Sequence, residues 1–491
     1  MKSNAQLARE TLTAVTQLGV RKFVICSGAR NAPLLVPLLK NAGRFRIFRH
    51  FDERAAAFFA LGLAKRNLEP VCVLTTSGTA VAELLPATIE AHYSGLPLIL
   101  LTADRPERFR GTGAPQAIEQ ETIFGNYTSR ELETWTGQTP LHLNLCLEEP
   151  LFDGDFDFDL KPAVESTIEL PVAGETDALD PGKKTVVLLG ELHETERSAV
   201  CDFLEETGLP TWSEATSGLR EADGLNHIRG GDASFQNAEV EQVLRIGGVP
   251  SLRFWRDLET RPEIAVHSIS RAGFSGLARA NTNQQGAFGE QTVLLRNGET
   301  IQQGTFDELL PRSRDPANAG LLDRSEEENA ISNLSKSIPP EAMIFLGNSL
   351  PIREWNLAAT TEIAHPNGFA NRGANGIDGE VSTFLGLCDS FDEGWGIFGD
   401  LTALYDLNAP WVLDQIGEGK RIRIVVINNG GGRIFSKLPG MKDLSETEKH
   451  VTENRHAMDF QKWAEMWGLE YATSADAVKT DRAVIEKQVQ G

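Results

Sequence analysis

Basic residues are scarce in this chain relative to acidic ones. Lys and Arg number 47 against 69 Asp and Glu, a formal net charge of -22. That balance excludes nucleic acid and anionic membrane surfaces as partners, because phosphate binding needs a basic field. It also makes any local cluster of arginines informative. Cysteine is equally thin. Cys26, Cys72, Cys146, Cys201 and Cys388 are odd in number, scattered and without a CxxC pair, so neither a disulfide framework nor a zinc site is expected, and a reduced, cytoplasmic setting is. No apolar run approaches membrane-spanning length, and the polar start MKSNAQLARETL lacks the apolar centre of a signal peptide. Two phosphate-binding signatures are missing as well. No GxGxxG follows the first strand-like run, and neither GKS nor GKT follows the glycines at 430–432. A dinucleotide-binding oxidoreductase and a P-loop protein are thereby set aside.

What is present is an alternation of short apolar runs and helix-length segments. With 491 residues, 41% hydrophobic and 24% charged, the chain has material for about three domains with real cores. Helical spacing from Gln6 to Leu18 ends at Gly19, and KFVICSG then reads as a buried strand. Further strands are expected at Pro70–Ser77 and Pro97–Thr102, with helices at Ala55–Lys65, a small-residue run suited to close packing, and at Val81–His92. The rhythm fails at FDGDFDFDL, Phe152 to Leu160, which reads as an exposed acidic loop leading into a linker. A second set starts at Thr185 and includes strands at Val243–Ile246 and Ile264–Ile269. A charged segment, Asp323 to Glu328, leads to a third set beginning with the strand Met343–Leu346. The expected fold is α/β, three doubly wound parallel-sheet domains: residues 1–160, a linker at 161–184, a central domain at 185–325 and a last domain at 326–491.

The chemistry concentrates between Gly399 and Phe435. Strands at Trp395–Phe398 and Ile422–Ile427 deliver their C-terminal ends to one place, where open α/β sheets bind ligands. One end presents Asp400 in GDLTALYDLN. The other presents Asn428 and Asn429, then three glycines that let backbone groups approach a ligand closely, in NNGGGRIF. A carboxylate, an amide oxygen and a bare carbonyl are hard ligands suited to a magnesium ion that also holds phosphate.

A GD element followed by NN at this spacing resembles the diphosphate and metal motif of thiamine diphosphate enzymes. The wording of both segments is similar to one family among them, the menaquinone-pathway synthase of 2-succinyl-5-enolpyruvyl-6-hydroxy-3-cyclohexene-1-carboxylate (MenD). The resemblance implies that Asp400, Asn429 and the Gly431 carbonyl hold Mg2+ or Mn2+. It implies cofactor contacts at Thr76, Gly78 and Leu401, and places Ile434 and Phe435 in the reaction chamber beside cofactor and substrate. FDERAAAFFALGLAK resembles the segment supplying the glutamate that bonds the cofactor's pyrimidine ring, which makes Glu53 the catalytic candidate. A carboxyl in an apolar pocket has a raised pKa and can share a proton there.

Arginines at strand ends form a second group: Arg30 in SGARNAPL, Arg105 in TADRP, Arg353 in NSLPIR and Arg372 in NRGANGIDG. Several forked cations at such ends, in so acidic a chain, point to a multiply anionic substrate. The family joins 2-oxoglutarate to isochorismate, both dicarboxylates, with loss of carbon dioxide, and these arginines match its substrate positions, as do Gln116, Ser349 and, on a shorter local match, Arg253. The resemblance further implies a homodimer or a dimer of dimers. Two departures bear on substrate affinity: Ala29 stands where the family usually has a serine, and Pro115 where it often has asparagine. Two other readings remain at this point, a different thiamine diphosphate-dependent 2-oxo acid decarboxylase or carboligase, and a non-catalytic protein that keeps the fold.

Overall fold

Among the described residues, short apolar runs, several of them buried on both faces, assemble into three separate sheets in which every strand pair is parallel. The computed structural model describes residues 2–163, 173, 179–180, 182–236, 238–289, 324–437, 440–441 and 443–490. The first sheet contains β1 (Lys22–Ile25), β2 (Arg46–Arg49), β3 (Val71–Thr75), β4 (Leu98–Asp104) and β5 (Leu141–Cys146), in the order β2-β1-β3-β4-β5. The second contains β6 (Thr185–Leu189), β7 (Thr211–Ser213), β8 (Gln242–Ile246), β9 (Ala265–Ser270) and β10 (Thr282–Gln285), in the order β10-β9-β8-β6-β7. The third contains β11 (Met343–Leu346), β12 (Gly368–Phe369), β13 (Glu393–Gly399), β14 (Arg421–Asn428), β15 (Glu470–Ala472) and β16 (Arg482–Gln488), in the order β12-β11-β13-β14-β16-β15. Counted from its own first strand, each of the first two sheets runs 2-1-3-4-5 and the third runs 2-1-3-4-6-5. The order therefore reverses at β1/β3, at β6/β8 and at β11/β13. Those are the crevices where open parallel sheets take ligands.

The chain divides into two compact units. One comprises Met1–Glu169 with Gly373–Asp392 and Tyr405–Lys420; the other comprises Leu170–Arg372 with Glu393–Leu404 and Arg421–Gly491. Within the first, the small-residue helix expected from Ala55 starts earlier, at Glu53, and runs to Lys65, because Asp52 caps it by accepting from the Ala55 N–H at 3.0 Å. It packs on the helix Glu380–Cys388 with almost no separation. A Cβ on Gly62 would lie 2.0 Å from the Thr383 carbonyl oxygen, and one on Gly386 would lie 2.2 Å from that of Phe59.

Two expectations are corrected. The helix read at Val81–His92 is two helices, Thr79–Ala82 and Leu85–Ser94. Pro86, in the first turn of the second, has no N–H with which to continue the first. The acidic loop FDGDFDFDL is exposed at its aspartates and at Phe152, but not along its whole length. Phe156 and Leu160 are buried in the core of the first sheet, and Asp153 accepts from the N–H groups of Asn4 and Ala5 at 2.7 and 3.1 Å, at the start of the first helix, Asn4–Gln17. Alternating Phe and Asp let one segment do both. Of the expected linker 161–184, residues 164–172, 174–178 and 181 lie outside the described residues, as does Asp323 of the charged segment.

Candidate active site

In the first unit, the site is built at the β1/β3 reversal. Gly28 leaves β1 in a turn held by Asn31, whose Oδ1 accepts from the Gly28 N–H at 3.0 Å while its Nδ2 donates to the Cys26 carbonyl at 2.9 Å. No side chain fits at position 28, since a Cβ would come within 2.6 Å of the Thr76 side chain. Thr76 follows β3 and is buried. Gly78, at φ +84°, lies against Gln116, whose own φ is +56°. A left-handed glutamine is a strained residue, and such strain collects at functional sites. Gln120 completes this end. Its Oε1 accepts from the Gly78 N–H at 3.0 Å, and its Nε2 donates to the Ala103 carbonyl and the Asn144 side chain at 3.0 and 2.8 Å. Gly28, Thr76, Gly78 and Gln116 are therefore brought together.

The arginines of this unit are placed less uniformly. Arg105 donates through Nε to the Pro115 carbonyl at 2.8 Å, beside Gln116. Arg30 is buried, donates to the Leu147 carbonyl at 3.3 Å and pairs with the exposed Glu149 at 3.0 Å. Glu53 opens its helix half-buried, with burial the foremost cause holding its pKa above the usual carboxylate value and the nearby Asp52 and Glu83 adding to it.

In the second unit, Asp400 follows β13 and the glycines follow β14. Asp400 is buried, at 2% exposure. Its Oδ1 accepts from the Leu401 N–H at 2.6 Å and its Oδ2 from the Gly431 N–H at 2.9 Å, with His456 Nε2 3.4 Å away. Burial raises its pKa, against the lowering pull of those N–H groups and of His456. Gly431 stands at φ +142°, where a Cβ would meet the Glu453 carbonyl oxygen at 2.5 Å. The two asparagines divide their work. Asn428 is spent on the fold, donating to the Met458 carbonyl at 2.9 Å and to Glu486 at 2.7 Å. Asn429 donates to Glu327, and its Oδ1 is buried with no hydrogen-bond donor among the described residues. A buried carboxylate, an amide oxygen lacking a donor and an adjacent glycine backbone form the hard, oxygen-only donor set that a magnesium ion takes. No cluster of three or more His, Cys, Asp or Glu with metal-binding geometry occurs among the described residues. Ile434 and Phe435 follow in the turn Arg433–Lys437, with Phe435 partly exposed, at 37%.

The substrate candidates of this unit gather beyond the C-terminal ends of β11 and β12. Ser349 caps the helix Leu350–Ala358 at φ +70°, and Arg353 on that helix donates to the Ser349 carbonyl. Arg372 is buried and donates to Asn348 Oδ1 at 2.9 Å, while its Nε has no acceptor among the described residues. Burial, and after it the charge of Arg372, lowers the pKa of Arg353. Arg353 is exposed at the surface beside the buried Arg372, and two cations that repel each other make a receptor for a carboxylate. Arg253 sits apart, paired with Asp257 at 3.5 Å on the short helix Arg253–Asp257, and the central-domain cation felt by Arg353 is Arg256.

Sequence reasoning missed Gln120, Asn348, Glu327 and His456. Asn348 had a signal, one residue before Ser349 in GNSLP. Gln120 lies four residues beyond Gln116. Glu327 and His456 reach Asn429 and Asp400 from elements remote in sequence, and nothing local marks them.

Residues 6–123 match the family model "Thiamine pyrophosphate enzyme, N-terminal TPP binding domain". The chain is 38% identical to the 2-succinyl-5-enolpyruvyl-6-hydroxy-3-cyclohexene-1-carboxylate synthase of Bdellovibrio bacteriovorus, with 96% of this chain and 92% of that protein covered. It is 39% identical to the synthase of the same name from Akkermansia muciniphila, with 98% and 94% covered. A Mycobacterium smegmatis crystal structure described as a thiamin diphosphate-dependent enzyme superposes with a TM-score of 0.68 over 100% of this chain and 99% of its own, at 15% identity, which speaks to the fold. Near-complete coverage at this identity, on a chain whose strand ends carry the motif residues, settles the family: the protein belongs to the 2-succinyl-5-enolpyruvyl-6-hydroxy-3-cyclohexene-1-carboxylate synthases.

Proposed function

We infer that this chain performs the reaction its family is named for. It is a thiamine diphosphate-dependent transferase that decarboxylates 2-oxoglutarate and adds the four-carbon unit to isochorismate, giving 2-succinyl-5-enolpyruvyl-6-hydroxy-3-cyclohexene-1-carboxylate and carbon dioxide in menaquinone biosynthesis. The observation that carries the reading is the pairing of buried Asp400 with the Gly431 backbone, beside an Asn429 amide oxygen that lacks a donor.

The residues divide by task. Asp400, Asn429 and the Gly431 carbonyl would hold Mg2+ or Mn2+, and Glu53 would bond the pyrimidine ring of thiamine diphosphate. Thr76, Gly78, Leu401, Ile434 and Phe435 would line the cofactor. When bound, the cofactor supplies the electron sink for decarboxylation. The protein supplies proton control, charge and dryness. Burial keeps the Glu53 carboxyl able to hold or release a proton closer to neutral pH than an exposed glutamate. Arg353 and Arg372, with Ser349 between strand and helix, neutralise substrate carboxylates in one unit. Arg30, Arg105 and Gln116 offer donors in the other, and Arg253, on the central domain, lies in the same unit as the first pair. Apolar Ile434 and Phe435 keep water from the reacting carbons.

The working assembly is taken to be a homodimer or dimer of dimers, the arrangement the family resemblance implies. Five free cysteines, three of them buried, support a reducing, cytoplasmic location, and no helix among the described residues is long and apolar enough to cross a membrane. The test is incubation with 2-oxoglutarate, thiamine diphosphate and Mg2+, with and without isochorismate, following carbon dioxide and isochorismate absorbance. Isochorismate consumption that requires all three other components is expected. Carbon dioxide release with isochorismate untouched would leave a decarboxylase or a carboligase for another acceptor, and no release at all would leave a binding protein.

A further inference from the structure

Glu53 stands between two residues that are both tied to one segment of chain. Upstream, Asp52 Oδ1 accepts from the Ala55 N–H, which begins the helix, while its Oδ2 accepts from the Asn408 amide. Downstream, the Arg54 guanidinium donates to the Tyr405 carbonyl at 3.0 Å and to Asp406 Oδ1 at 3.3 Å, and lies over the Tyr405 ring at 5.0 Å. Asp406 is completely buried. Its other oxygen accepts from both the N–H and the hydroxyl of Ser382, at 2.7 and 2.9 Å, so it is fixed to the helix Glu380–Cys388 as well. The same face is closed by Phe51, edge-on to Trp411 at 5.0 Å, and by the Asp52 N–H, which donates to His50 Nδ1 at 3.0 Å. Residues 51, 52 and 54 are thus all anchored to residues 405–411. Glu53 is the member of the turn whose side chain makes no hydrogen bond or ion pair with another side chain among the described residues.

A helix cap alone fixes where a helix starts, and leaves the turn free to rock. Two anchors on either side of one residue remove that freedom. We propose that Asp406 and Asn408 are positioning residues for Glu53: through Arg54 and Asp52 they hold the first turn of its helix so that the Glu53 carboxyl is presented in one orientation. This rests on the reading of Glu53 as the group that bonds the cofactor's pyrimidine ring. Neither Asp406 nor Asn408 need touch cofactor or substrate. Their removal should therefore loosen the turn and slow proton transfer at Glu53 while leaving the diphosphate and metal contacts alone. A misplacement of about 1 Å costs up to about 100-fold when geometry limits a step.

The experiment compares wild type, Asn408→Ala, Asp406→Asn and Glu53→Gln. Amide hydrogen exchange is measured on the cofactor-free protein across residues 52–58. With thiamine diphosphate and Mg2+ bound and no substrate, the exchange rate of the thiazolium C2 proton and the cofactor Kd are measured. Asn408→Ala should speed amide exchange in that turn and slow C2 exchange about 10- to 100-fold, with Kd held within about threefold, since only orientation is lost. Asp406→Asn should act in the same direction, and if it does not fold, Asn408→Ala, a half-buried position, carries the comparison alone. Unchanged C2 exchange in folded Asn408→Ala, or a loss of cofactor affinity that matches the loss of exchange, overturns the positioning role. Wild-type C2 exchange in Glu53→Gln instead removes the reading of Glu53 itself, and the two failures are told apart by that one variant.

Discussion

At Glu53, function and stability pull in opposite directions, and the conflict is measurable. Burial raises its pKa above the ordinary 4.5, so the folded chain holds the proton more tightly than the unfolded chain does. Stability from this group is fully present below the unfolded value and is lost as pH rises through the folded one. Glu53→Gln removes the titration, so the variant should melt at a higher temperature than wild type near pH 8, with the gap closing as pH falls toward about 5. A gap that is absent or reversed in cofactor-free protein would mean the carboxyl is solvated. The arginines carry a different prediction. Arg372→Ala or Arg353→Ala should raise the KM for an anionic substrate by about 30-fold or more, because losing a charge-assisted partner of a desolvated carboxylate costs about 2–5 kcal/mol. Cofactor Kd should hold. Steady-state kinetics with each substrate varied in turn would show which one responds, and no response in either would reduce both to structural groups.

At the level of elements, the helix pair Glu53–Lys65 and Glu380–Cys388 gives a test in which two principles predict opposite signs. Replacing Gly62 by alanine in mid-helix should stabilise by about 1 kcal/mol from propensity alone. Yet the new Cβ would sit 2.0 Å from the Thr383 carbonyl oxygen, which is backbone and cannot rotate away. Forcing the helices apart costs about 1–3 kcal/mol or more, so Gly62→Ala should destabilise on balance, read as a lower urea midpoint at unchanged slope. Much at this scale was legible in advance. The run ERAAAFFALGLAK announced a helix that packs closely, and β11 was bounded to the residue. What stayed hidden depends on partners remote in sequence. β2, reading RIFR, has only one fully buried residue and no apolar run to declare it. FDGDFDFDL was read by its charges, whereas its alternate phenylalanine and leucine lie in the core. In the candidate site, Asp400 and Asn429 were visible because they sit beside glycine at strand ends. His456 and Glu327 were invisible, since only the third sheet brings them there.

The whole molecule combines a large negative charge with histidines held neutral, and together they set its response to acid. His50 and His142, at 4% and 3% exposure, are each pushed down to about 4, chiefly by burial. His92, His227 and His365 are shifted the same way, also by burial first. A group with a depressed folded pKa contributes stability that is present above its unfolded value, here 6.5, and is lost as pH falls through the folded one. Three buried or half-buried carboxyls, Glu53, Asp400 and Asp406, act with the opposite sign, because burial raises their values and protonation relieves them. They start from 3.8 or 4.5, whereas the histidines start from 6.5. Falling pH also relieves the self-repulsion of a chain with net charge -22. The histidines should nevertheless dominate between about pH 6.5 and 5, where His50 and His142 alone stand to withdraw up to about 2 kcal/mol each, at about 1.4 kcal/mol per unit. Melting temperature should therefore fall over that interval at fixed salt. Unfolding near pH 5.5 should take up roughly one proton per buried histidine, and His142→Gln, which keeps a partner for Thr102, should lower that uptake by about one. Calorimetry in buffers of different ionisation enthalpy counts the protons. An uptake that His142→Gln leaves unchanged would show that this ring already titrates normally in the folded chain, and the acid response would then have to come from the carboxylates.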